Sequence, residues 1–486
     1  MKKRTKGIIA GSCCVVLLAG ALVALKLTEP ETEEEDNLSS TSDASAKTST
    51  LLYDKNPSDI SSVEVVNENG GYTVERYADD FWTIPDISGL PLNYTAVNSA
   101  VETLATVTAQ QAVSEAPEDL SVYGLDSPQL KAKAVFDSGS EKTILIGDET
   151  PKGGEYYFKL EDSDTVYTIK SSDISVLFSK EFDFINHVLY DNVTDDNTED
   201  DYDPRKLNSM TISRPDLDYD IVVEYDARQE YDELITGNSS SYVMTAPVSL
   251  DLNPDKSDAM MELIFGLTAS DVAAVDPDAA ALEEYGLTEP ACTVTYDINA
   301  GAATLYIGNK HFNDSGVPTG YYVMREGLEV VYILDTANVP WVSIQPLDIT
   351  MTMVTSTYIY SVESIEITHG DTTEIFEPNG DKDNFAVKHN GEEADADLFK
   401  SLYQYILRAP AEEIYLGAYD AKEPDVSITI KNEYGEDKLD FYSDADRKSI
   451  IVLNGKANFK CRTAYVDRLI DNLGHYAAGE DIVTSW

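Results

Sequence analysis

Beyond residue 50 the apolar side chains fall into short alternating runs, of which Val63-Glu64-Val65-Val66, Tyr72-Thr73-Val74-Glu75 and Phe81-Trp82-Thr83-Ile84 are the first. A period of two sends successive side chains to opposite faces, so these runs predict strands of a sheet with one solvated face. The period then changes. Val97, Val101 and Leu104 stand at i, i+4 and i+7, one stripe of an amphipathic helix, with Asn93 or Thr95 placed to cap it. Alternation resumes through Ala134-Val135-Phe136, Ile144-Leu145-Ile146, Tyr156-Tyr157-Phe158 and Val166-Tyr167-Thr168-Ile169, before a short helix-like segment. The predicted order is β-β-β-α-β-β-β-β-α.

The same order returns twice. Met210-Thr211-Ile212, Ile221-Val222-Val223-Glu224-Tyr225 and Tyr242-Val243-Met244 precede a stripe of Met260, Ile264 and Leu267, capped at Asn253 before Pro254. Val294-Thr295-Tyr296, Leu305-Tyr306-Ile307, Tyr321-Tyr322-Val323 and Val331-Tyr332-Ile333-Leu334 follow it. A third copy has Ile365-Glu366-Ile367, Glu374-Ile375-Phe376 and Phe385-Ala386-Val387, then a stripe of Leu398, Leu402 and Tyr405 behind Asp395, and a closing helix near Ala464 to Leu473.

A marker fixes the alignment. Tyr123-Gly124-Leu125-Asp126-Ser127-Pro128 recurs as Tyr285-Gly286-Leu287-Thr288-Glu289-Pro290 and, degraded, as Tyr419-Asp420-Ala421-Lys422-Glu423-Pro424, at spacings of 162 and 134 residues. Units of that size are self-sufficient domains, so the repeats form a string of domains and not a solenoid. In the marker, the tyrosines are expected to pack, Gly124 and Gly286 to end a short helix left-handed, and Pro128 and Pro290 to fix entry into the next strand. Gly147-Asp148 and Gly308-Asn309 read as turn residues, because all three types tolerate positive φ. The third copy lacks glycine at both places.

The amino terminus is of another kind. Lys2, Lys3, Arg4 and Lys6 precede a run without charge from Gly7 to Leu25, closed by Lys26. As a helix this run is about 28 Å long, close to the thickness of a bilayer's hydrocarbon core. Basic residues before it and Glu29 to Asp36 after it place residues 1–6 in the cytoplasm and the bulk outside. Ala19-Gly20-Ala21 also suits signal-peptide cleavage, but the apolar run continues past it, which favours a retained anchor. Cys13 and Cys14 sit too early in that run for lipidation. The expected layout is a transmembrane helix over 7–27, an acidic, Ser/Thr-rich linker over 28–50, α+β modules over 51–194, 205–348 and 349–486, and an acidic linker over 195–204. The fold class is α+β, a transmembrane helix followed by tandem modules of mainly antiparallel sheet with packed helices.

Composition narrows the chemistry. Hydrophobic residues at 42% suit a folded chain, and a net charge of −53 repels nucleic acid. Only Cys292 and Cys461 lie beyond the anchor, so there is no disulfide framework. His187, His311, His369, His389 and His475 share no position between copies, and no spacing suits a metal or haem site. Lys152-Gly153-Gly154 lacks the spacing of a phosphate loop, and no nucleophile elbow is present. Asp381, Asp383 and Glu392 match positions 1, 3 and 12 of a calcium loop, but Phe385 and Ala386 break the template, leaving an acidic hairpin. Trp82 and Trp341 are assigned to cores. No catalytic, cofactor-binding or metal-binding residue is expected, and no cofactor.

These motifs, Tyr-Gly-Leu-x-x-Pro over Tyr123 to Pro128, Ile146 to Pro151, Gly154 to Tyr157 and Val166 to Ile169, resemble the bacterial domain of unknown function 4340. The second copy fits with a longer insertion, Asn309 through Thr319, and the third in outline. The resemblance implies a cell-envelope protein with an amino-terminal membrane helix, often encoded beside ABC-transport components, and it implies no catalytic residues. The expected function is therefore a non-enzymatic, membrane-anchored extracytoplasmic protein, an accessory or scaffold part of an envelope assembly such as an ABC-type transport system. Its partners would be the membrane and, by analogy, transporter components, with no nucleic acid. The alternative is an extracellular protein binding an envelope polymer or small solute in a cleft between modules.

Overall fold

A computed structural model describes residues 49–486 apart from 80, 190–205, 231–239, 300, 352–353, 356, 420–421 and 433–434. The helix expected over 7–27, almost all of the 28–50 linker and the 195–204 linker lie outside the described residues. No helix among those described is long and apolar enough to cross a membrane.

Three large antiparallel sheets share one plan. The first is built from β2 (Ile60–Asn67), β3 (Tyr72–Ala78) and β4 (Phe81–Thr83), then helix α1 (Tyr94–Ala105), β6 (Gln111–Ser114), and β7 (Leu130–Phe136), β8 (Glu141–Glu149), β9 (Glu155–Leu160) and β10 (Val166–Lys170), with a short α2 (Ser171–Ile174) after it. Its strand order is β4-β3-β2-β7-β8-β9-β10-β6. Beside it β1 (Thr50–Asp54) pairs with β5 (Thr106–Ala109), so Thr50, expected as the last linker residue, already belongs to a strand.

The second sheet uses β11 (Leu207–Ser213), β12 (Ile221–Tyr225), β13 (Tyr242–Ala246), β14 (Leu250–Asp251), helix α3 (Pro254–Glu262), β15 (Asp271–Val275), α4 (Ala279–Glu284), β16 (Cys292–Ile298), β17 (Gly301–Phe312), β18 (Pro318–Arg325) and β19 (Val330–Asp335), with α5 (Pro346–Ile349) following. The third has β20 (Val362–His369), β21 (Thr372–Asn379), β22 (Ala386–His389), β23 (Glu392–Ala394), α6 (Ala396–Leu407), β24 (Glu413–Ile414), β25 (Val426–Asn432), β26 (Gly435–Ser443), β27 (Lys448–Leu453), β28 (Lys456–Arg462) and α7 (Thr463–Ala478). Their orders are β14-β13-β12-β11-β16-β17-β18-β19-β15 and β23-β22-β21-β20-β25-β26-β27-β28-β24.

In every sheet the first strand pairs with the one that follows the marker, and all other neighbours but one are hairpin partners. The exception corrects the expected order: an extra strand follows each helix, β6, β15 or β24, and crosses to the far edge. These strands are short and, apart from Val272 in β15, have no buried residue, so burial imposes little apolar alternation on them. The second and third sheets also gain a fourth strand before the helix.

The first and third helices form where their stripes and caps predict. The second starts at its cap but ends at Glu262, so Met260 alone of its stripe lies in α3, while Ile264 falls in the 3-10 turn Leu263–Gly266 and Leu267 beyond it, all three still buried. Val97, Val101 and Leu104 are fully buried against the sheet, and Asn93, not Thr95, accepts the Ala96 N–H at 3.2 Å. Asn253 caps α3 and Asp395 caps α6, each cap contributing about 1 kcal/mol. In the third stripe Leu402 and Tyr405 are fully buried as expected, but Leu398 is only partly buried, and Phe399, Tyr403 and Ile406 join the inward face. The α6 and α7 helices are joined by a reciprocal tyrosine pair. The Tyr405 and Tyr465 rings stack at 5.0 Å, Tyr405 Oη donates to the Tyr465 carbonyl at 2.9 Å, and Tyr465 Oη donates to that of Ile406 at 3.1 Å. The carboxyl-terminal Trp486 closes on both rings edge-on.

One hydrophobic core runs without a break through the first and second sheets, and a second core fills the third. The first joint is also hydrogen-bonded: Leu189 N donates to the Leu267 carbonyl at 3.0 Å, Ala269 N to that of His187 at 2.8 Å, and Arg325 to that of Leu189 at 3.1 Å. Between the second and third sheets, Asn458 Nδ2 donates to the Ser249 carbonyl at 3.2 Å, and Met351 N to that of Asp251 at 3.2 Å.

Across the first joint Lys180 Nζ lies 2.8 Å from Asp271. Partial burial works against the Asp271 carboxylate, but the hydrogen bonds from Lys180 and from the Val272 N–H outweigh it and hold this carboxyl below its ordinary range. A depressed carboxyl pKa stabilises the folded state above the unfolded value, about 4, and that contribution disappears as pH falls through the folded value. Urea denaturation against pH is expected to show Asp271→Asn costing about 0.5–1 kcal/mol at pH 7, a small figure because the pair is partly solvated, with the difference from wild type closing below about pH 4.

Candidate functional site

The marker folds as a loop locked to the strand beside it. Gly124 ends the turn Ser121–Tyr123 with φ 65°, and Gly286 follows α4 with φ 69°, the left-handed geometry expected of both. Tyr123 meets Tyr157 edge-on at 5.1 Å, and Tyr285 meets Tyr322 at 4.5 Å, equivalent partners in the two copies.

Gly147 and Gly308 are not turn residues. They lie within β8 and β17 without positive φ, and a Cβ there would come within 2.0 Å of the Tyr123 carbonyl oxygen or 2.1 Å of that of Tyr285. Glycine is required because marker backbone rests on strand backbone. The next residue secures the contact: Asn309 N donates to the Tyr285 carbonyl at 2.7 Å and its Nδ2 to that of Glu284 at 2.9 Å. In the third sheet register puts Tyr442 in this place, after Phe441 as Gly147 follows Ile146. Tyr419 then packs on that ring at 5.4 Å, so the loss of both glycines is one change of packing.

A cleft of about 600 Å³ opens between the second and third sheets. Tyr219 and Asp220, from the turn between β11 and β12, and Pro247 and Val248 after β13 form one wall. Tyr415 and Leu416, just after β24, form the other. The Tyr415 hydroxyl donates to the Ala418 carbonyl at 2.8 Å and its ring folds over Gly417, where a Cβ would lie 2.6 Å from the oxygen. That wall is therefore preformed. Clefts at domain interfaces with aromatic and apolar lining are where small ligands bind. None of these residues stands out in sequence, because two modules contribute them from loops. A second hollow of about 630 Å³, between α1 and α2, is lined by small hydroxyl groups such as Ser99, Thr103 and Ser175.

The other candidates stay apart. Lys152-Gly153-Gly154 joins β8 to β9, and Asp381 accepts the Asp383 and Asn384 N–H groups within the β21–β22 turn. No group of three or more metal-ligating side chains occurs among the described residues. Of the histidines, His389 stacks on Phe376 at 4.6 Å with Nε2 2.6 Å from Glu374, His311 bonds Thr319 at 2.8 Å, and the buried His187 Nε2 has no partner in the described residues. Cys292 and Cys461 are free and buried, and burial pushes both thiols up to about 12, where a thiolate nucleophile is not available at neutral pH. Trp82 and Trp341 are buried, as expected of core residues.

The family described as Domain of unknown function (DUF4340) matches residues 82–236 and again 243–427. The matched stretches open at Trp82 in β4 and Val243 in β13, the third strand of each sheet; the first contains Tyr123 to Pro128 with Gly147, and the second contains Tyr285 to Pro290 with Gly308 and runs on through the degraded copy Tyr419 to Pro424. No curated protein and no solved structure matches the chain.

The close approach at Gly147 makes a specific demand. Gly147→Ala is expected to lower stability by about 2–4 kcal/mol, against no more than about 0.5 for Gly89→Ala. Nothing lies within 4 Å of a Cβ at Gly89. Urea denaturation of the two variants checks this, and equal effects would refute the backbone contact as the reason for glycine.

Proposed function

The chain belongs to the DUF4340 family, and from that premise we propose that it is a non-enzymatic, membrane-anchored extracytoplasmic protein serving as an accessory or scaffold component of a cell-envelope assembly such as an ABC-type transport system. The observation that carries the reading is the unbroken core through the first two sheets, with hydrogen bonds across their joint. Large apolar interfaces between modules suppress the relative motion that domains otherwise show, and a stiff frame suits a part that holds other subunits in place. The long β17–β18 hairpin supports the same reading, since Phe312 and Val317 near its tip are each 53% exposed and offer an apolar contact. The charge-free run from Gly7 to Leu25, with basic residues before it, supplies the anchor and its orientation. The link to transport rests on the family resemblance alone.

A second reading, ligand binding outside the cell, is favoured by the cleft between the second and third sheets. The two part experimentally. Crosslinking in the native membrane and affinity purification of the full chain are expected to recover transport or assembly subunits in stoichiometric amounts. Recovery of the protein alone, with transport unchanged on its deletion, would overturn the scaffold reading.

A further inference from the structure

We infer that the cleft between the second and third sheets accepts the cationic side chain of an extended peptide, a lysine or arginine flanked by apolar residues. The inference rests on the ligand-binding reading and adds the chemical class. Asp220 is the only charged residue among those lining the cleft. It is exposed and makes no hydrogen bond or ion pair with the described residues. Two cations on the flanking segments already have carboxylate partners: Arg214, at the start of the same β11–β12 turn, bonds Asp216 at 2.9 Å through Nε, and Lys460 in β28 pairs with Asp444. The Asp220 carboxylate is therefore free to exchange its hydrating water for a cation that enters the cleft.

The walls select which donor. Two aromatic side chains, Tyr219 and Tyr415, line the cleft, and aromatic faces attract ammonium and guanidinium groups; with Tyr415 committed to Gly417 and Lys460, Tyr219 is the ring left for a ligand cation. Tyr415 already carries the Lys460 ammonium 4.7 Å from its ring centre. Pro247, Val248 and Leu416, the last 53% exposed, give the methylenes of a long basic side chain an apolar track toward Asp220. A net charge of −53 draws cations toward the site and turns away anionic sugars, nucleotides and phosphates. A neutral glycan would need several convergent hydrogen-bonding side chains. Apart from Asp220 and the two tyrosine hydroxyls, one of them already donating to Ala418, the lining side chains supply none.

The test titrates the full-length protein in detergent with acetyl-Val-Lys-Val-amide, the same peptide acetylated on its lysine, and chitotriose, by isothermal calorimetry. Saturable binding of the charged peptide is expected, weakened by added salt, with at least a tenfold loss on acetylation and a similar loss in Asp220→Asn. Thermal unfolding of that variant should match wild type, since the side chain is exposed and unpaired. Equal binding of the two peptides, binding unaffected by Asp220→Asn, or saturable binding of chitotriose alone would overturn the cationic assignment while leaving a ligand site. Failure of all three probes to bind would overturn the assignment and count against the ligand-binding reading with it.

Discussion

The pairing of each sheet's first strand with the strand after the marker is the constraint from which the rest of the molecule follows. β2 lies against β7, β11 against β16 and β20 against β25, with a helix and the marker loop held in the chain between them. Most of the other pairings close by hairpins and need little help. This one brings distant segments together, and its register decides which face of the whole sheet is apolar. In β7, Leu130, Ala132, Ala134 and Phe136 all point inward, and a slip of one residue would turn every one of them to water. The helix packs across that pair, so its stripe has a surface to cover only once the pair has formed.

Seen from this pair, the marker is a register device. It stands immediately before the second central strand, and its backbone rests on the glycine of the next strand along. Each contact leaves room for only one alignment of loop and sheet. In the third copy the aromatic contact between Tyr419 and Tyr442 fills the same place, which is why the motif fades there while the strand order survives.

What could be read from the sequence was what is local and periodic. Stripes such as Val97, Val101 and Leu104, and caps at Asn93, Asn253 and Asp395, obey rules that span a few residues, and they stand where the pattern places them. The strands Gln111–Ser114, Asp271–Val275 and Glu413–Ile414 could not be read in this way, because each is defined by a partner on the far edge of its sheet. Gly147 was legible as a special position but not for its cause, since positive φ and close approach both demand glycine. The cleft was illegible for a third reason: its two tyrosines come from different modules and acquire meaning only from how those modules meet.

The chain's three tryptophans are shared out one to each sheet. Trp82 lies in β4, Trp341 follows β19 and is fully buried, and Trp486 closes on the stacked tyrosines of α6 and α7. The intrinsic fluorescence is therefore divided by module. Two indoles sit in the continuous core, while the third lies within energy-transfer distance of a tyrosine pair. The protein carries an optical label for each of its parts, and the order in which the sheets loosen is written in its own emission.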